Sequence, residues 1–254
     1  MVSTDVVVPS AGRGAGAAGS FWVTDLWVRC PDQTDVTLEF HLLDAPSAAP
    51  AATTTIRMSQ PVVYLADVMK NTFGFESGFG NIRVRSVRPV AATIRVYSTG
   101  AGGSYGFAFM GMPSSMSMGS SGMMIGGDDA HRYYVQGLLP QPQARVNVMI
   151  ANTSSTRIQG TCDVLDADGT TPPTGAASFR FAIQAYSGHQ FNNVLAGVHG
   201  RFGDDAGLQL RISLDAGIAG TMMAMASVVD NETNDSYVVM GSMMDDEVGM
   251  MMGR

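Results

Sequence analysis

The sequence predicts an all-β protein made of two tandem copies of one β-domain. Three observations carry that expectation. Glycine (30 residues) and proline (11) punctuate many short β-branched runs, the pattern of strands separated by tight turns. Alternation of period two is explicit in Asp35–Leu43, where Val36, Leu38, Phe40 and Leu42 share one face and Thr37, Glu39 and His41 the other; such a strand is buried on one side. The first half of the chain also aligns on the second.

In chain order, the first series of predicted strands is Asp5–Val8, Phe21–Arg29, Asp35–Leu43, Thr53–Met58, Asn81–Val87, Ala91–Tyr97 and Tyr105–Phe109. Leu65, Val68, Met69 and Phe73 recur at helical spacing and predict a short helix between the fourth and fifth strands. The second series is Arg145–Ala151, Arg157–Leu165, Ser178–Ala185, Gly207–Leu214, Thr221–Val229 and Ser236–Met240. Phe191, Val194, Leu195 and Val198 predict an equivalent helix there, and Asp166–Gly169 (DADG) predicts a hairpin turn.

Phe21–Asp44 shifted by 122 runs without a gap onto Gln143–Asp166, so that Val36 meets Ile158. A shift of 126 lays Tyr64–Met69 on Gln190–Leu195 and Ile82–Arg85 on Leu208–Arg211, and a shift of 132 pairs Ser104–Tyr105 with Ser236–Tyr237. Order, spacing and apolar phase agree, as expected of a duplicated unit. The expected organisation is a β-domain over residues 1–109, a Met/Gly/Ser-rich linker over 110–130, a second β-domain over 131–240 and a Met-rich tail over 241–254. Val36 with Ile158, Ile82 with Leu208 and Tyr105 with Tyr237 should occupy equivalent buried positions, each tyrosine hydroxyl reaching a polar partner.

Composition narrows the function. A net charge of −7 with scattered arginines and one lysine, Lys70, argues against a nucleic-acid partner. No run of about 18 apolar residues is present, so no transmembrane segment is expected. The opening MVSTDVVVPSAGRG lacks the charged and apolar regions of a signal peptide. Cys30 and Cys162 stand at non-equivalent places in the repeat, which disfavours a disulfide between them. No Cys–His catalytic pattern is present, and the glycine-rich stretch Gly12–Gly19 leads into a strand without the G-K-[ST] of a phosphate loop. His41, His131, His189 and His199 form no ligand motif and read as isolated surface histidines. Trp22 and Trp27 stand at odd separation on one strand, which turns one to the core and the other to the surface. Asn152-Thr-Ser and Asn231-Glu-Thr fit glycosylation acceptors.

The methionines are the least ordinary feature. Of 19, six fall in Met110–Met124 and nine in Met222–Met252, interleaved with Gly, Ser and Asp. Met is flexible and polarizable and suits adaptable packing surfaces, so the favoured expectation is that linker and tail pack or assemble, while Met222, Met223 and Met225 lie inside a predicted strand. The alternative is metal. Thioether sulfur suits Cu(I), and the candidate ligands are Met110, Met112, Met116, Met118, Met123, Met124, Met243, Met244, Met250, Met251 and Met252, with Asp128, Asp129 and His131 as accessory groups.

The string VVVPSAGRGAGAAGSFWVTDLWVRCPDQTDVTLEF resembles the opening of a domain that occurs in tandem in secreted, multidomain bacterial surface proteins. Leu65–Gly74, Asn81–Ser86, Ala92–Ser98 with Ser104–Gly106, Gly137–Ser154 and Ala226–Val239 continue the resemblance, which covers Val6–Val239. It departs at Met110–Met124, where a short Pro/Ala-rich linker is usual, and after Met240. The resemblance implies two tandem immunoglobulin-like β-sandwiches, each with one short helix, in an extracellular or periplasmic setting. It implies no catalytic residues and no established activity. The resulting expectation is a non-enzymatic extracellular structural or adhesion-type protein whose Met-rich linker and tail mediate packing or self-assembly. Its partners would be further copies of itself or other surface subunits. The alternative is a periplasmic or extracellular copper-binding protein.

Overall fold

The computed structural model of the chain describes residues 2–16, 19–100, 103–119, 132–138, 144–166, 168–169, 178–198, 208–215, 217–233 and 235–243. The protein is all-β, with several antiparallel sheets, one short α-helix and one 3-10 turn (Ser114–Met116) among the described residues. The first half comprises β1 (Ser3–Ala15), β2 (Phe21–Arg29), β3 (Asp35–Leu42), β4 (Ala52–Arg57), β5 (Val62–Leu65), helix α1 (Val68–Asn71), β6 (Gly78–Gly100), β7 (Gly103–Met110) and β8 (Met112–Pro113). One layer runs β4-β3-β6-β1-β8 and the other β5-β2-β6-β7. The long β6 belongs to both: Gly80–Ser86 pairs with β3, and Ala91–Ser98 pairs with β2. Alternate residues fill the space between. Val6, Leu38, Phe40, Ile82 and Val84 from one layer meet Leu26, Val28, Ile94 and Val96 from the other. Each such buried side chain contributes about 1.5–3 kcal/mol.

The second half comprises β9 (Met118–Gly119), β10 (Arg132–Leu138), β11 (Ala144–Asn152), β12 (Ile158–Leu165), β13 (Ser178–Ile183), β14 (Gly188–Phe191), β15 (Leu208–Leu214), β16 (Thr221–Asp230), β17 (Ser236–Met240) and β18 (Ser242–Met243). Its layers run β13-β12-β15-β10-β18 and β14-β11-β16-β17, so the strand order of the first half recurs strand for strand. The path of β6 is divided here into β15 and β16. A second core, including Val135, Val148, Ile150, Val164, Leu210 and Met222, lies between these layers. Cys30 sits in the first core and Cys162 in the second, both as free thiols.

A matched device closes each half. At Gly111 and Gly241 the chain leaves one layer (β7, β17) and enters the other (β8, β18). The Gly111 N–H donates to the Ala92 carbonyl at 2.9 Å and the Gly241 N–H to the Ala224 carbonyl at 3.1 Å. A Cβ at Gly111 would press on Val6, and one at Gly241 would overlap the Tyr133 ring. Close approach, not a positive φ, requires glycine at both places. Between the halves, Met112 and Pro113 are paired to β1, and Met118 and Gly119 to β16.

Three expectations need correction. The predicted helix around Phe191–Val198 is a pair of turns, in which Ala196 N–H donates to Asn193 O at 3.0 Å and Val198 N–H to Leu195 O at 3.1 Å. Its counterpart α1 is capped by the Asp67 side chain and ends before Gly74 at φ +77°. In the second half glycine arrives earlier, at Gly197 (φ +72°), and interrupts the turn.

The shifts of 122 and 126 are mutually inconsistent across the β3–β6 ladder. Phe40 faces Ile82, but Cys162 faces Ile212 and not Leu208. The four-residue slip is even, so Val36, Ile158, Ile82 and Leu208 all remain buried. Tyr105 and Tyr237 do not share a setting: Tyr105 is half-buried opposite Ser98, whereas Tyr237 is 42% exposed opposite Val228. The Tyr237 hydroxyl donates to Gly137 O at 3.0 Å.

Candidate functional site

Placing the methionines requires separating inward from outward positions. On β11, Val146, Val148 and Ile150 point into the second core, so Met149 and Ala151 point outward. On β16, Met222, Ala224 and Ala226 point inward, and Met223 and Met225 outward. Yet Met149, Ala151, Met223 and Met225 are all buried, and none belongs to either core. They lie in cross-strand rows, Met149 opposite Met225 opposite Met240, and Ala151 opposite Met223. In the first half, β1 lies against β11 and β16, and β7 against β17. Outward-facing Val7 on β1 is buried as well. The methionine rows are therefore the seam between the halves, a use suited to a side chain that adapts to two surfaces.

Polar groups fix this seam in register. Leu43 and Gly188 form a parallel bridge, and Asp44 N–H donates to Gly188 O at 2.8 Å. Ser187 Oγ donates to Leu42 O at 2.7 Å, Asn81 Nδ2 donates to Tyr186 O at 3.0 Å, and His189 Nδ1 meets Asp44 Oδ1 at 2.6 Å. Arg83 binds Asp5 through both carboxylate oxygens and lies under the Tyr186 ring at 4.6 Å. Burial pushes the Asp5 carboxyl up, but Arg83 and the Ser114 hydroxyl outweigh it and hold it below its ordinary value. His41 is buried beside Tyr186, contrary to its reading as a surface histidine, and its Nε2 lacks a hydrogen-bond partner. Burial lowers its pKa, against the upward pull of Glu39 at 3.8 Å.

Among the described residues, the candidate thioether ligands stand on several different elements. Met110 is 46% exposed and pairs with Thr93 in one layer, while Met112 pairs with Val7 in the other. Met116 is exposed, and Met118 and Met243 stand in the short strands β9 and β18. Met123, Met124, Met244, Met250, Met251 and Met252, with Asp128, Asp129 and His131, lie outside the described residues.

The outer face of the β5-β2-β6-β7 layer differs from the seam. Tyr64, Trp27, Thr93 and Met110 form one row across the four strands, and Asp25 faces Arg95 in the next. Trp27 stacks on Tyr64 with centroids 4.8 Å apart. Asp25, only 3% exposed, accepts from the Tyr64 hydroxyl at 3.0 Å and from Asp67 N–H at 2.9 Å. Asp67 is held at φ +41°, a conformation unusual for a non-glycine residue. Arg95 lies over the Tyr97 ring at 4.3 Å and donates to Ser104 Oγ at 2.7 Å. Partial burial and the Asp25 carboxylate both raise the Tyr64 pKa. Trp22 packs on the core and Trp27 faces out, as their spacing required. Tyr64, Asp25 and Arg95 were not singled out by sequence reasoning. The signal was present in β2, where Asp25 and Trp27 alternate with Leu26 and Val28, but its meaning depended on which strands lie alongside.

No known family model matches the chain, and no curated protein matches it. Among solved structures it is similar to the apo form of a Pleurotus ostreatus lectin, at TM-score 0.25 and 11% identity, over 97% of this chain and 77% of that one. A lectin from Pleurotus ostreatus in complex with GalNAc matches at TM-score 0.24 and 12% identity, over 94% of this chain and 76% of that one. At these scores the likeness carries no argument about fold or function.

Proposed function

We propose that this chain is a non-enzymatic structural or adhesion-type protein of the extracellular or periplasmic space, built as two immunoglobulin-like sandwiches locked into one rigid unit, with Met-rich segments as the packing material. The observation that carries this reading is the Met149–Met225–Met240 row on an outward sheet face, in which Met149 and Met225 are buried and Met240 is half-buried. The linker supports it: its described part adds one short strand to each half, Met112–Pro113 to the first and Met118–Gly119 to the second, in the manner of strand addition at a sheet edge. The tail following β18 would offer the same material to a second copy. Light scattering after size exclusion tests this on the full chain and on a chain stopped after Met243, which keeps β18. The full chain is expected to form oligomers and the shortened chain to be monomeric. Identical monomeric masses would sink the assembly reading.

The exposed thioethers of Met110 and Met116 favour one second reading, Cu(I) binding together with the methionines outside the described residues. Titration of Cu(I) against a competing chelator should then show affinity that a variant lacking the candidate methionines loses.

A further inference from the structure

We propose that the outer face of the β5-β2-β6-β7 layer is a carbohydrate-binding platform, on which Trp27 and Tyr64 stack against the rings of a neutral oligosaccharide laid across the strands. This rests on the adhesion-type reading above and gives it a ligand class. The first ground is the contrast between the two halves. Trp27 faces Thr93 in the first, and Met149 faces Met225 at the matching place in the second. The half whose face is covered carries methionine. The half whose face is open carries aromatic rings, with Tyr64 51% exposed.

The second ground is preorganisation. Asp25 is a buried carboxylate on an outward face. Its two acceptor bonds serve to fix the Tyr64 ring against Trp27 and to hold the Asp67 backbone in its left-handed conformation. An exposed tyrosine needs no such anchor for folding, and strain of this kind collects at binding sites. The third ground is charge. Asp25 is engaged by Tyr64 and Asp67, and Arg95 by Tyr97 and Ser104, so the charges beside the Trp27–Tyr64 pair are internally engaged, and Arg29 at the end of β2 adds an exposed charge at the margin of the face. A ligand with apolar ring faces and neutral hydroxyls matches that surface. An anionic polymer does not, on a chain of net charge −7.

Four probes test the proposal on the full chain: hexasaccharides of β-1,4-glucose, β-1,4-N-acetylglucosamine, β-1,3-glucose and α-1,4-glucose, followed by tryptophan fluorescence and calorimetry. At least one should bind and shift the emission. Trp27→Ala and Tyr64→Ala should each weaken it by about tenfold, the ratio that about 1.4 kcal/mol represents. Tyr64→Phe, which keeps the ring and loses the Asp25 anchor, should weaken it less. Melting temperatures identify any variant that fails to fold, and Arg95→Ala then takes its place. Binding of none of the four overturns the proposal, as does binding that all these variants leave unchanged. A protein partner cross-linked through Trp27 or Tyr64 with no sugar bound would reassign the face to protein docking. An intact methionine seam beside a face that binds no sugar would leave the structural reading standing.

Discussion

His41 shows how one buried residue sets a pH response. Its imidazole is held neutral by burial at the seam, with a pKa below the ordinary 6.5. As pH falls through 6.5 the unfolded chain takes up this proton first, while the folded chain resists. The stability associated with neutral His41 is therefore complete above pH 6.5 and is lost as pH falls toward the depressed folded value. The Asp5 carboxyl is held below 3.8, so its contribution is lost only at much lower pH. Between pH 7.5 and 5.5 the melting temperature should fall, and His41→Gln should reduce that fall relative to the parent. Equal slopes for parent and variant in a thermal scan would show that His41 does not control it. Asn152 teaches a related lesson. Its amide donates to Thr156 O at 2.7 Å and to Gln184 O at 2.9 Å, and it is buried. A glycosylation pattern read from sequence is thus spent on internal hydrogen bonds, whereas Asn231 stands exposed in a turn.

At the scale of elements, the glycine switches decide where each sheet layer ends. The Tyr133 ring occupies the space where a Cβ at Gly241 would sit, and Tyr133 is itself buried. Gly241→Ala should destabilise the protein by about 1–3 kcal/mol, the usual cost of overpacking. Gly111→Ala should cost less, because its nearest obstacle, a Val6 methyl at 2.7 Å, overlaps the added Cβ less than the Tyr133 ring carbon at 2.0 Å does at Gly241. Urea unfolding of the two variants checks the order, and a larger loss at Gly111 would contradict it. The recurring Met-Gly step (Met110-Gly111, Met240-Gly241) was visible in the sequence. Its role was not, because a steric need for glycine arises from a neighbour more than 100 residues away.

At the scale of the whole molecule, the seam should make the two halves unfold together. Calorimetry of the full chain should show one transition. Met225→Ala leaves a cavity worth about 2–5 kcal/mol, and Arg83→Ala strands the Asp5 carboxylate and uncovers Tyr186. The double variant should split the transition into two. A single sharp transition at lower temperature would mean that the halves are coupled through other contacts.

The all-β class, the strand phases and the repeated order were legible in the sequence, because a period of two and turn residues are local properties that every strand writes for itself. The outward placement of Trp27 was legible for the same reason. The helix at Phe191–Val198 was misread because apolar spacing alone does not register a glycine placed for positive φ. The register between β12 and β15 was misread because alignment shifts record ancestry, whereas ladder partners are chosen by packing, and an even slip leaves the buried face unchanged. Only the tertiary structure decided which outward faces are covered. Met149 and Trp27 hold matching places on matching strands, yet one is sealed against the other half and the other faces solvent. That difference depends on how two sheets meet, and no segment of the chain encodes it alone.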